Sequence, residues 1–117
     1  EAKGSTKILG VSLLTSLDES DIRKLYNNDF KKQFNNLINI AMETNIDGIV
    51  CSSQELELIQ DPSLIKVVPG IRNQNSLDDQ KRVMTSKEAY SKGADFIVVG
   101  RPITQAKDIE ESIKDYS

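Results

Sequence analysis

The sequence predicts an α/β fold with a parallel sheet: four consecutive βα units, half of a (β/α)8 TIM barrel. Three observations predict it. Four short Ile- and Val-rich runs punctuate the chain, helical apolar spacing fills the intervals, and the length is 117 residues. An eight-unit barrel typically has ~250.

The four runs are residues 7–13 (KILGVSL), 47–52 (DGIVCS), 65–69 (IKVVP) and 94–100 (ADFIVVG). Each is apolar on consecutive positions, which suits strands covered on both faces. After the first run, Phe30, Phe34, Leu37, Ile38, Ala41 and Met42 recur at a spacing that puts them on one helical stripe. Asp29 is the expected N-cap of that helix, and Asp18 or Ser20 that of a shorter helix ending near Tyr26. Residues 53–59 and 86–92 read as further short helices, the second stopped by Gly93. The tail, 108–116, reads as a last amphipathic helix.

Strand–helix alternation implies a parallel sheet with right-handed crossovers. No repeat or low-complexity linker divides the chain, so residues 1–117 read as a single domain. Four parallel units left open expose two sheet edges, an aggregation hazard that barrel closure removes. The start, Glu1-Ala2-Lys3-Gly4, resembles the end of a preceding helix. Together these favour four units of an eight-unit ring, the half-barrel.

Composition excludes several function classes. The longest apolar runs are far short of the ~20 residues that span a bilayer, and the polar start has no signal-peptide core. A single cysteine, Cys51, rules out an internal disulfide and fits a reducing cytoplasm. Histidine is absent, so a His triad or His metal site is excluded within these residues. A net charge of −3 argues against non-specific nucleic-acid binding. A small phosphate needs only a local cluster of positive charge and N–H groups.

Such a cluster is legible at two strand ends. Gly100-Arg101-Pro102-Ile103-Thr104 ends the fourth run. Gly100 permits close backbone approach, Pro102 suits the first turn of a short helix, and Arg101 supplies charge. Pro69-Gly70-Ile71-Arg72 ends the third run, one strand over. Adjacent strands lie ~4.8 Å apart, so Arg72 and Arg101 could converge on one anion. The alternative is that Arg72 pairs with Asp78 or Asp79. Thr15 and Ser16 follow the first run, where hydroxyls meet a ligand or cap a helix. Gln80 lies in the polar stretch 73–81, placed to close over a ligand or to remain a solvated amide. Cys51 reads as a small buried residue, because no basic partner is evident.

At these residues a family resemblance emerges. Residues 10–16 (GVSLLTS) resemble the fifth-strand "VTxLTS" of orotidine 5'-phosphate decarboxylases, and 47–55 (DGIVCSSQE) resemble their sixth-strand "DGVVCSAxE". Val68-Pro69-Gly70-Ile71-Arg72 with Asp79-Gln80 is similar to the seventh-strand "TPGIR" and its "DQxR" loop. Residues 93–104 (GADFIVVGRPIT) are similar to the eighth-strand "GADxxVxGRPIT". The four motifs occur in order over nearly the whole chain.

The resemblance implies the C-terminal half of such an enzyme, which converts orotidine 5'-phosphate to uridine 5'-phosphate and CO2 in pyrimidine synthesis. It implies no metal or organic cofactor, a cytoplasmic location and usually a dimer. Arg72, Gln80 and the backbone of Gly100 with Arg101 would hold the 5'-phosphate. Thr15 or Ser16 would meet the nucleotide, and Pro69 would line the pyrimidine pocket. The family's catalytic Asp-x-Lys-x-x-Asp belongs to the first half of the barrel. No lysine here has Asp two before and three after. No catalytic residue is therefore assigned, and the chain alone is expected to be inactive. Its expected partners are the missing N-terminal half or a second copy of itself, with neither nucleic acid nor membrane; the alternatives to a decarboxylase half are a self-associating phosphate-binding module and a degenerate remnant without catalysis.

Overall fold

The structure is a computed structural model that describes residues 4–12, 20–21, 24, 30–59, 61–73 and 84–117. Its elements are β1 (Leu9–Val11), α1 (Phe30–Glu43), β2 (Gly48–Val50), a 3-10 helix (Ser53–Leu58), β3 (Ile65–Val68), α2 (Ser86–Ser91), β4 (Phe96–Ile97), α3 (Arg101–Thr104) and α4 (Ile109–Tyr116). The strands form one parallel sheet in sequential order, β1-β2-β3-β4. This is the predicted α/β arrangement.

Two aspartates finish the sheet at its lower end. Asp47 precedes β2, and its carboxylate accepts the Ile8 N–H at 2.7 Å. Asp95 precedes β4 and accepts the Lys66 N–H at 2.8 Å. Each satisfies an amide on the neighbouring strand that would otherwise lack an acceptor. Gly48 makes close strand approach possible, because a Cβ there would meet the Ile65 carbonyl and lie 2.6 Å from Ile65 Cβ.

The helical stripe on α1 is only partly buried. Phe34 and Ala41 are in the core and Leu37 and Ile38 pack against it, whereas Met42 is exposed. The helix ends at Asn45, whose φ of 54° is left-handed, a conformation Asn tolerates better than most residues. Of the shorter helix, Ser20, Asp21 and Lys24 are helical. Asp18 and the Asp29 cap lie outside the described residues. Helix α2 opens with a capping box. Thr85 Oγ1 accepts from Glu88 N at 3.3 Å, and Thr85 N donates to Glu88 Oε2 at 3.0 Å. That backbone donation holds the Glu88 carboxyl below its usual range. As predicted, Gly93 follows the helix, at φ 105°. Helix α4 is capped by Asp108, which accepts from Glu111 N at 3.0 Å.

The strand expectation needs one correction. Burial holds on one face, where Ile49 and Val68 lie, and fails on the other, where Val11, Val50, Val67 and Phe96 stand in one register row and none is buried. On β1, Val11 is 63% exposed; on β4, Phe96 is 60% exposed. Ile8, Leu9 and Val98 are exposed as well. The outer strands pair on one side only, and β4 extends over fewer residues than the run 94–100 suggests.

Candidate phosphate site

The upper ends of β3 and β4 carry the two candidate arginines. Val68 and Ile97 are register partners, and Val98 N donates to Val68 O at 2.9 Å. Arg72 and Arg101 each follow their member of that pair by the same interval along the chain. The segment ending in Gly100 therefore does lie beside the segment ending in Pro69.

Beyond the pair the two chains diverge in character. After β3, Pro69 is half-buried and Gly70 turns the chain at φ 74°. Ile71 is buried and forms a parallel bridge to Met84. Arg72 is only 8% exposed. Its amide donates to Met84 O at 3.0 Å and its Nη1 to Ile71 O at 3.3 Å. After β4, Gly100 caps α3, and its carbonyl accepts from Ile103 N at 2.9 Å and Thr104 N at 3.1 Å. Arg101 is the exposed first residue of that helix, and Pro102 sits in its first turn, as predicted. A Cβ at Gly100 would meet no protein atom within 4 Å. The space above it is open.

Asn73 follows Arg72 and carries a hydrogen-bond cluster. Its amide donates to the Tyr116 hydroxyl at 3.0 Å. Its Nδ2 donates to Asp115 O at 2.7 Å and Asp115 Oδ2 at 3.2 Å, and its Oδ1 accepts from Ser86 N at 2.8 Å. No sequence signal predicts this, because the partners lie far along the chain.

The ends of β1 and β2 hold a second polar group. Glu55 is fully buried. Its Oε2 accepts from Ser52 N at 2.7 Å and from the Ser12 hydroxyl at 3.1 Å. The spacing Ser52-x-x-Glu55 is the sequence signature of a capping box and was open to reading. Cys51 beside it is 1% exposed, and burial, then the Glu55 charge, push its thiol up to about 12. Such a thiol is inert at neutral pH. Thr15, Ser16, Gln80, Asp78 and Asp79 lie outside the described residues. Among the described residues, no group of three metal-ligating side chains occurs, and no helix is long and apolar enough to cross a membrane.

Comparison with known proteins gives this geometry its context. The model of the orotidine 5'-phosphate decarboxylase / HUMPS family matches residues 1–116. Orotidine 5'-phosphate decarboxylase of Aquifex aeolicus is 44% identical, the match covering 96% of this chain and 53% of that protein. The enzyme of the same name from Dictyoglomus thermophilum is 41% identical, with 92% and 46% covered. The crystal structure of orotidine 5'-phosphate decarboxylase from Lactobacillus acidophilus superposes with a TM-score of 0.71 at 32% identity, covering 94% of this chain and 49% of that one. The Pyrococcus horikoshii structure, at 22% identity and a TM-score of 0.69, supports the fold alone. The chain thus spans about half the length of the relatives it matches. A family model matched almost end to end, with motifs in order on parallel strands, leads to one conclusion: this chain belongs to the orotidine 5'-phosphate decarboxylase / HUMPS family.

Proposed function

We propose that the chain is the C-terminal, phosphate-gripping half of an orotidine 5'-phosphate decarboxylase. In this reading Arg72 and Arg101 converge on the 5'-phosphate with Gln80 and the Gly100 backbone. Thr15 meets the nucleotide, and Pro69 lines the pyrimidine pocket. The observation that carries the reading is the Val68–Ile97 register, from which both arginines follow at equal distance along the chain. The open space above Gly100 supports it, since a ligand can approach the backbone there.

The mechanism assigned to these residues is binding. A guanidinium forms charge-assisted, often bidentate hydrogen bonds to phosphate oxygens. Such remote binding energy speeds a reaction only when a reacting centre can use it. Losing CO2 leaves a carbanion-like centre that needs a proton donor beside favourable charges. No Asp-x-Lys-x-x-Asp segment occurs in this sequence, so the 117 residues alone bind nucleotide without turning it over. The proton-donating cluster belongs to a complementary half. No metal or organic cofactor enters this reading, and it puts the protein in the cytoplasm.

A second copy of the chain is the competing complement. The exposed apolar residues on both outer strands, Val11 on β1 and Phe96 on β4, favour it. A two-fold axis along the ring would bring β1 of one copy to β4 of the other at both junctions. The direct test is calorimetric titration with uridine 5'-phosphate, alongside an assay for CO2 release from orotidine 5'-phosphate. Saturable binding without turnover is expected. Turnover by the pure chain would overturn the division of labour, and absence of binding would overturn the site.

A further inference from the structure

We propose that Asn73 is a positioning residue for the phosphate grip, fixing Arg72 by fastening it to the last turn of α4. The inference rests on the assignment of Arg72 to the phosphate made above. Three sets of contacts carry it, all within one residue of Arg72.

Residues 72–73 and 84–86 form a closed neck. Arg72 N bonds Met84 O at 3.0 Å, and Asn73 Oδ1 accepts from Ser86 N at 2.8 Å. The two sides of the neck are therefore joined by both backbone and side chain. Asn73 then ties this neck to α4 through the Tyr116 hydroxyl and both oxygens offered by Asp115. Tyr116 is no loose terminus, because its side chain is buried in the hydrophobic core. The Asn73 side chain uses both its amide oxygen and its amide nitrogen, which Ala cannot replace and Asp can replace only in part.

A guanidinium on a long stem loses considerable freedom on binding an anion. Binding is stronger when that freedom is already restricted. Arg72 is restricted at its own amide and again at the next residue, on an anchor that reaches the core. Asn73 thus acts through Arg72 and need not touch ligand. The last turn of α4 becomes part of the affinity for phosphate.

Calorimetry with uridine 5'-phosphate and with uridine separates positioning from general loosening. Asn73→Ala is expected to weaken uridine 5'-phosphate about tenfold while changing uridine less than about threefold. Asn73→Asp sets two carboxylates against each other at Asp115 and is expected to lose as much. Adding Asp115→Asn should recover part of that loss, since it restores the side-chain bond while the Asp115 carbonyl still faces an acceptor. Tyr116→Phe removes one acceptor and keeps the ring packed, so it carries the test if Asn73→Ala fails to fold. It should weaken uridine 5'-phosphate a few-fold, with faster hydrogen exchange at the Asn73 amide. Equal losses for both ligands, or unchanged phosphate affinity in folded variants, would overturn the inference. A wild-type chain that ignores uridine 5'-phosphate would instead remove the Arg72 assignment, and this inference with it.

Discussion

Glu55 and Ser12 meet at the upper ends of two adjacent strands, the Ser12 hydroxyl donating to the buried carboxylate at 3.1 Å. The same carboxylate oxygen accepts the Ser52 amide at 2.7 Å. One side chain therefore closes the turn after β2 and fastens the end of β1 to it. Removing it leaves a buried N–H and a hydroxyl short of their acceptor. Loss of hydrogen bonds to a charged group costs about 3 kcal/mol. Glu55→Ala should lower the thermal midpoint by roughly 10 °C, and Glu55→Gln, which still accepts, by less. Calorimetric melting of the two variants decides it, and equal midpoints for Ala and wild type would contradict the role.

Gly48 stands where β1, β2 and β3 crowd together. A methyl there would meet the Ile65 carbonyl and come within 2.9 Å of Leu9 Cδ2. Backbone on a paired strand cannot yield as a side-chain tip can. Overpacking of this kind costs about 1–3 kcal/mol. Gly48→Ala should shift urea unfolding to a lower midpoint with an unchanged slope. By contrast, Gly93 has open space around it, and the strain of a substitution there would come from its φ of 105°.

Cys51 predicts a loss of stability at high pH. Its thiol is raised from 9.0 to about 12 by burial, with the Glu55 charge adding and Lys66 opposing. Below pH 9 the thiol is protonated in both folded and unfolded chains, and its contribution is fully present. Between pH 9 and about 12 the unfolded chain releases the proton and the folded chain retains it. Stability therefore falls as pH rises through that window. The unfolding midpoint of wild type should drop more steeply from pH 8 to 10.5 than that of Cys51→Ala. Parallel slopes would show that Cys51 does not couple folding to pH.

Much of this fold was legible because its signals are local. Runs of Ile and Val marked β2 and β3, the stretches 86–92 and 108–116 marked α2 and α4, and Gly93 marked a helix stop. The same local logic misjudged β1 and β4. Their composition is that of strands covered on both faces, but the face carrying Val11 and Phe96 is left exposed, and covering depends on packing across the sheet that no local window reports. The candidate site divides in the same way. Arg72 and Arg101 could be found from strand ends, because parallel register carries them along together. Asn73 could not, because its bonds to Asp115 and Tyr116 join distant parts of the chain. Glu55 lay between: its capping-box spacing was visible, but its reach to Ser12 depends on strand order.

The exposed edges predict behaviour in solution if a second copy completes the ring. Light scattering at micromolar concentration should then give twice the monomer mass. Val11→Lys on β1 or Phe96→Lys on β4 should each shift it towards monomer, since a charge on an edge strand opposes pairing. A wild-type monomer would remove self-closure.

The central claim is that Arg72 and Arg101 hold one phosphate. It is tested most directly by titrating uridine 5'-phosphate into wild type, Arg72→Ala, Arg101→Ala and the double variant. Each single change should weaken binding by about 1.5–3 kcal/mol, and the double variant should depart from the sum of the two, as residues sharing one ligand group do. Affinity for uridine 5'-phosphate unchanged in either single variant would contradict the claim.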